Sequence, residues 1–173
     1  MEAGMVSPDA HVVGRTLVQA AAAEGHTAIV KYLAQAKANL MQRDKTGADA
    51  VLLASCYGHT DAVQALCEHK ASVSTANDNG VSPVFAAAQG GHVELLRWLA
   101  EHKADLRCPN HKGTTPAAVA CYNGHADIVR ILAEGNADLS APNKYGVRPV
   151  RAACERGHAQ VVRTLVELGV DVL

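Results

Sequence analysis

A Gly-His pair recurs at Gly25-His26, Gly58-His59, Gly91-His92, Gly124-His125 and Gly157-His158, always 33 residues apart. A fixed period constrains a chain more than its composition does. A unit of this size cannot enclose a core alone, so it must bury its apolar face against its neighbours. Cutting at this period gives five units without insertion: residues 8–40, 41–73, 74–106, 107–139 and 140–172. The expected organisation is one domain over residues 8–173, preceded by an extension at residues 1–7.

Within each unit the signals describe a turn, a short helix, a tight corner and a second helix. Ser82-Pro83 and Thr115-Pro116 place a side-chain oxygen at an N-cap and proline at the first helical position, where its missing N–H is no loss. Asp49 and Thr16 cap likewise, whereas Arg148-Pro149 has lost the capping oxygen. The first helix carries Ala21, Ala54, Ala87, Ala120 and Ala153 at one position, small enough for helices to approach closely. The glycine of each Gly-His pair then ends that helix in a conformation other residues adopt only at a cost. The second helix has an apolar face, as in Ile29, Val30 and Leu33 or Leu95, Leu96 and Leu99. Tyr32 and Trp98 share a further position on it and read as packing residues. Asp61, Glu94 and Asp127 lie in its first turn, where the helix dipole favours negative charge.

Hydrophobic residues make up 49% of the chain and formal net charge is −1. No apolar run approaches the roughly 18 residues of a transmembrane helix, so membrane insertion is not expected. Near-zero net charge gives no long-range reason to bind nucleic acid. The start, with Glu2 and Asp9, lacks the basic and apolar regions of a secretory signal, which makes a cytoplasmic location, or a nuclear one, the expectation.

The nine histidines and five cysteines raise the question of metal. Packed helix axes lie about 8–10 Å apart, whereas zinc draws four ligands to about 2.0–2.3 Å. Equivalent histidines in successive units are too far apart to share an ion, and the five corner histidines read as hydrogen-bonding groups. Cys121 and Cys154, one unit apart, exceed the roughly 4.4–6.8 Å Cα separation of a disulfide. Cys56, Cys67 and Cys108 show no paired spacing, so reduced thiols are expected. Cys56 falls at an exposed position with nothing basic fixed beside it. No phosphate-binding loop, zinc-protease motif or nucleophile elbow occurs. The expectation is a non-enzymatic chain without metal or other cofactor.

At this level of detail the sequence resembles the ankyrin repeats. That family shows a turn with Gly, then Thr-Pro-Leu-His, two alanines, Gly-His, a Val-x-x-Leu-Leu helix and a Gly-Ala-Asp ending. The third unit matches with Gly80, Ser82, Pro83, Ala86, Ala87, Gly91, His92, Leu96, Leu99, Ala104 and Asp105. The resemblance covers almost the whole chain and implies an all-α solenoid of helix-turn-helix units with β-turn-like finger loops. Two positions depart from the pattern. The first histidine is replaced by Gln19, Leu52, Phe85, Ala118 and Arg151, so its usual hydrogen bonds to neighbouring turns must be supplied otherwise or lost. Glycine after the second helix is replaced by Lys37, Lys70, Lys103 and Asn136, with only Gly169 retained.

The resemblance also implies where a partner would bind: the finger tips and the end of the first helix, which together line a concave groove. On this chain the finger residues are Lys45, Thr46, Asp78, Asn79, His111, Lys112, Lys144 and Tyr145, preceded in the first unit by Val12 and Val13. The helix residues are Cys56, Tyr57, Gln89, Tyr122, Asn123, Glu155 and Arg156, together with Ala23, Glu24 and Gly90 at the equivalent positions. They vary between copies while the framework repeats. Three of the four tyrosines fall in this set, a residue type frequent at binding hot spots. Lys45, Lys112 and Lys144 give the tips a mildly basic character, interrupted by Asp78.

The expected function is a non-catalytic scaffold or adaptor binding a protein partner. Two alternatives are a regulatory or substrate-recruiting segment of a larger multidomain enzyme or channel, and a self-associating array. The last unit, ending "VVRTLVELGVDVL", and the first have no evident polar cap. The chain is therefore expected to be part of a longer array, or to be a monomer that self-associates weakly through its uncapped ends.

Overall fold

The computed structural model describes residues 11, 12 and 14–171. The extension at residues 1–7, Val13 and Leu173 lie outside this range. Among the described residues the chain opens with a short antiparallel pair, β1 (His11–Val12) and β2 (Arg15–Thr16). Five helical hairpins follow in this range. Their first helices, α1 (Leu17–Ala23), α3 (Ala50–Cys56), α5 (Pro83–Gly90), α7 (Pro116–Asn123) and α9 (Pro149–Glu155), form an inner layer. Their second helices, α2 (Thr27–Gln35), α4 (Thr60–Glu68), α6 (Val93–Glu101), α8 (Ala126–Glu134) and α10 (Ala159–Glu167), form an outer one. Each helix packs on its hairpin partner and on the equivalent helix of the next unit, so one strip of core runs the length of the stack. This is the expected all-helical solenoid.

The caps form as their chemistry requires. Ser82 Oγ accepts from the Phe85 N–H at 3.1 Å, Thr115 Oγ1 from Ala118 at 3.1 Å and Asp49 Oδ1 from Leu52 at 2.9 Å. Arg148 contributes no capping oxygen. The repeated alanines are buried, from Ala54 at 0% to Ala21 at 5% exposure, and the inner helices meet across them. Of the replaced histidines only Gln19 keeps the bridging role: its side-chain amide donates to the carbonyls of Gln42 at 2.7 Å and Ala48 at 3.2 Å in the next unit.

The corner glycines do more than end a helix. Gly91 and Gly124 take φ of 73° and 84°, the left-handed region expected of them. Each also gives room to the next unit: a methyl group on Gly91 would sit 2.7 Å from the His125 ring. The histidine then reaches back across the interface. Nε2–H of His59 donates to the Ala23 carbonyl at 3.0 Å, His92 to Cys56 at 3.2 Å, His125 to Gln89 at 3.1 Å and His158 to Tyr122 at 2.9 Å. A carbonyl only accepts, so Nε2 carries the proton in each case. The repeating dipeptide is thus two halves of one joint, glycine on one unit and histidine on the next.

Lys37, Lys70, Lys103 and Asn136 adopt φ of 62°, 69°, 61° and 56°, so these side chains occupy a backbone conformation suited to glycine. Two expectations on the outer layer fail at the first unit. Ile29 is 49% exposed and Tyr32 71% exposed, although Leu95 is fully buried and Trp98, at the equivalent of Tyr32, is partly covered. The equivalent Val161 and Thr164 of the fifth unit are fully buried, so cover at these positions comes from the preceding side, and α2 follows no earlier hairpin among the described residues.

Candidate binding groove

The fingers are built by a local device. Asp44, Asn77, Asn110 and Asn143 each begin an Asx-x-x-Gly turn ending at Gly47, Gly80, Gly113 and Gly146. In the fourth unit Asn110 Oδ1 accepts from the N–H groups of Lys112 at 2.9 Å and Thr114 at 3.1 Å. The glycine, at φ 73° in Gly113, closes the turn. Asn77 and Asn143 make the same bonds, and Asp44 bonds Thr46 and Ala48 likewise. Burial alone would raise the Asp44 pKa, but hydrogen bonds from Thr46 and Ala48 and the nearby Arg15 bring it below the usual carboxylate value. Sequence reading missed these four residues, although an Asx three positions before a periodic glycine was the available signal.

The turns are then stitched tip to tip. The Asp78 N–H donates to the Thr46 carbonyl at 3.1 Å, His111 to Asn79 at 3.0 Å and Lys144 to Lys112 at 3.1 Å. The tip residues therefore stand in a row along one edge of the concave face. Behind them, between fingers and inner helices of the third to fifth units, lies an open groove of about 780 Å³. Its floor includes the buried Phe85, Ala118, Val119 and Ala152.

Of the candidate residues, Asn79, Gln89, His111, Lys112, Tyr122 and Glu155 line this groove. Lys144 stands beside it through its backbone bond to Lys112, and the Arg156 guanidinium lies 3.9 Å over the Tyr122 ring. Asn123 holds its neighbour, its side-chain amide donating to the Gln89 carbonyl at 3.1 Å. Lys45, Thr46, Cys56 and Tyr57 belong to the second unit, outside the lining, where Tyr57 stacks on His59 with ring centroids 6.3 Å apart. Asp78 is outside it too, turned to Arg43 Nη2 at 3.5 Å. Tyr145 projects from the tip and is 74% exposed. Tyr57 and Tyr122 are also exposed. Sequence reading missed Arg148, which lines the groove from the N-cap of α9.

The charges divide along the stack. In the first three units Arg15 faces Asp44 at 4.0 Å and Arg43 faces Asp78, so cation and carboxylate alternate. In the last two, Lys112, Lys144, Arg148, Arg151 and Arg156 stand on the concave side with Glu155, which pairs with Arg151 at 2.7 Å. Two of the thiols are poor nucleophiles: burial pushes Cys67 up to about 11 and Cys121 up to about 12. For Cys56 burial outweighs the nearby Arg15, and its pKa is raised. That arginine corrects the expectation that nothing basic stands beside the thiol.

Among the described residues no helix is long and apolar enough to cross a membrane. A family profile for ankyrin repeats in three copies matches residues 3–77 and 84–173. No curated protein matches the chain. The matched segments take in nearly all of the stacked hairpins, their corners and their fingers, and on that basis the chain belongs to the ankyrin-repeat family.

Proposed function

We propose that this chain is a non-catalytic scaffold or adaptor that holds a protein partner in its concave groove, with one binding domain over residues 8–173. Ankyrin repeats are in general protein–protein interaction modules. The observation that carries the reading is the contrast between a repeating frame and a non-repeating lining. The corner joint and the finger turn recur with the same bonds, while the tip positions read Lys45, Asp78, His111 and Lys144. An open face of this kind offers no enclosed chamber for chemistry and suits a segment laid across it.

The test is affinity capture from a cell lysate by the native chain and by a Tyr57→Ala, Tyr122→Ala, Tyr145→Ala variant. All three side chains are exposed, so the variant should keep its helical circular dichroism. A protein held by the first and lost by the second supports the groove. Equal capture moves the site to the outer helices.

A second reading, self-association, is favoured by the exposed Ile29 and Tyr32 at one edge and Val166 and Leu168 at the other. Light scattering over a hundred-fold range of concentration distinguishes it. A molar mass that rises with concentration, and stops rising in Ile29→Asp, would favour pairing between copies.

A further inference from the structure

We infer that the groove of the last three units receives an extended, acidic segment of the partner protein, its carboxylates set between the tips of the fourth and fifth fingers. The inference rests on the groove reading above and adds the chemistry of the partner.

Two lysines stand on neighbouring tips. The backbone bond from Lys144 N to Lys112 O fixes two adjacent tips, and both side chains are exposed. The Lys144 stem crosses the preceding finger at Gly113, where a Cβ would come 3.0 Å from its Cγ. Like charges carried on adjacent tips repel, and an anion between them relieves the repulsion. Two units earlier in the same row, the Asp78 tip stands over Thr46 and faces Arg43, so an internal carboxylate supplies what the lysine pair lacks.

The positive charge does not stop at the tips. From the lysines the cationic side is continued by Arg156 at the end of α9, while Arg148 on the groove wall already has a partner. Among the described residues that line the groove the carboxylate is Glu155, and it is engaged by Arg151. A segment crossing from the fingers to the inner helices would meet cations at both edges and the apolar floor of Phe85, Val119 and Ala152 between them. Alternating acidic and apolar side chains in an extended chain match that order, because successive side chains point to opposite sides.

A single-stranded nucleic acid fits less well. Base stacking needs a series of free aromatic faces; Tyr145 offers one at the tip, but the Arg156 guanidinium already covers a face of Tyr122 beside the groove. The path of its phosphates along the tips would also run into Asp78.

The test uses the full chain labelled with nitrogen-15, titrated with three acetylated ten-residue peptides in which leucine alternates with glutamate, glutamine or lysine. The glutamate peptide should move the amide signals of His111, Lys112, Tyr122, Lys144 and Arg156. Its half-saturating concentration should lie about ten-fold below that of the glutamine peptide, and rise about ten-fold in the Lys112→Glu, Lys144→Glu variant. Both lysines are exposed, and a native spectrum elsewhere checks the fold of that variant. Equal binding of the glutamate and glutamine peptides, no binding of the glutamate peptide, or shifts confined to the outer helices would overturn the inference. So would a ten-nucleotide oligothymidine that moved the same amides at lower concentration. If the acidic peptide fails while lysate capture still depends on the three tyrosines, the groove reading stands and only the acidic partner is lost. If both fail, the groove itself is not the site.

Discussion

Leu95 and Ile29 occupy one position of the period, as do His92 and His26, yet the first of each pair is locked into an interface and the second is not. Leu95 is fully buried and Ile29 is 49% exposed. His92 reaches back to the Cys56 carbonyl at 3.2 Å, while His26, with no earlier hairpin among the described residues, is exposed. At the other edge Gly157 has nothing within 4 Å of where a Cβ would stand, whereas Gly91 has the His125 ring there. The difference locates the stabilising contacts. They belong to the joints between units, so the worth of a residue depends on whether a neighbour is present.

The sharpest way to break this comparison is to cut the same atoms at both places. Leu95→Ala should destabilise by about 2–5 kcal/mol in urea unfolding, as large-to-small changes in packed cores do. Ile29→Ala should cost less than about 1 kcal/mol. Similar losses would mean that Ile29 is buried in solution, and a dimer or further hairpin would then be sought. The corner glycines give a smaller contrast. Gly157→Ala carries only the left-handed backbone penalty, about 1–2 kcal/mol. Gly91→Ala carries that penalty and also pushes the His125 ring off its bond to Gln89, so it should lower stability by about 1 kcal/mol more. Equal effects would show that the histidine joint contributes nothing. The smallest effect sharpens the comparison by abolishing it. Lys37 and Lys103 share a strained φ of 62° and 61°, a property of the local backbone and not of a neighbour. Lys37→Gly and Lys103→Gly should each raise the unfolding midpoint by a similar amount, corresponding to about 1 kcal/mol.

Much of the fold was legible because its signals act over a few residues. Ser82 and Thr115 announce helix starts, Gly91 and Gly124 announce their ends, and the left-handed Lys70 was readable because it stands where a periodic glycine is expected. The groove was legible only in outline. Asn79, Gln89, His111, Lys112, Tyr122 and Glu155 converge on it, but Tyr57 and Cys56 are removed by one unit and Asn123 is occupied with holding its neighbour. Periodicity marks equivalent positions and treats all units alike, so it cannot say along which units the concave face opens. Arg148 was read solely as a missing cap, and its place on the groove wall depends on the finger of the same unit and the floor of the one before.

By itself the sequence determined the period, through repetition, and the helix faces, the caps and the left-handed corners, since these three follow from residues within about one turn of one another. The tertiary structure alone decided the joint between Gly25 and His59, the exposure of Ile29 and Tyr32, and the meeting of Lys112 with Lys144. The His59 bond spans 36 positions, and contacts of that kind exist only once the units have stacked. Stacking places unlike residues side by side at each step, and so a regular frame acquires a face with a neutral half and a cationic half.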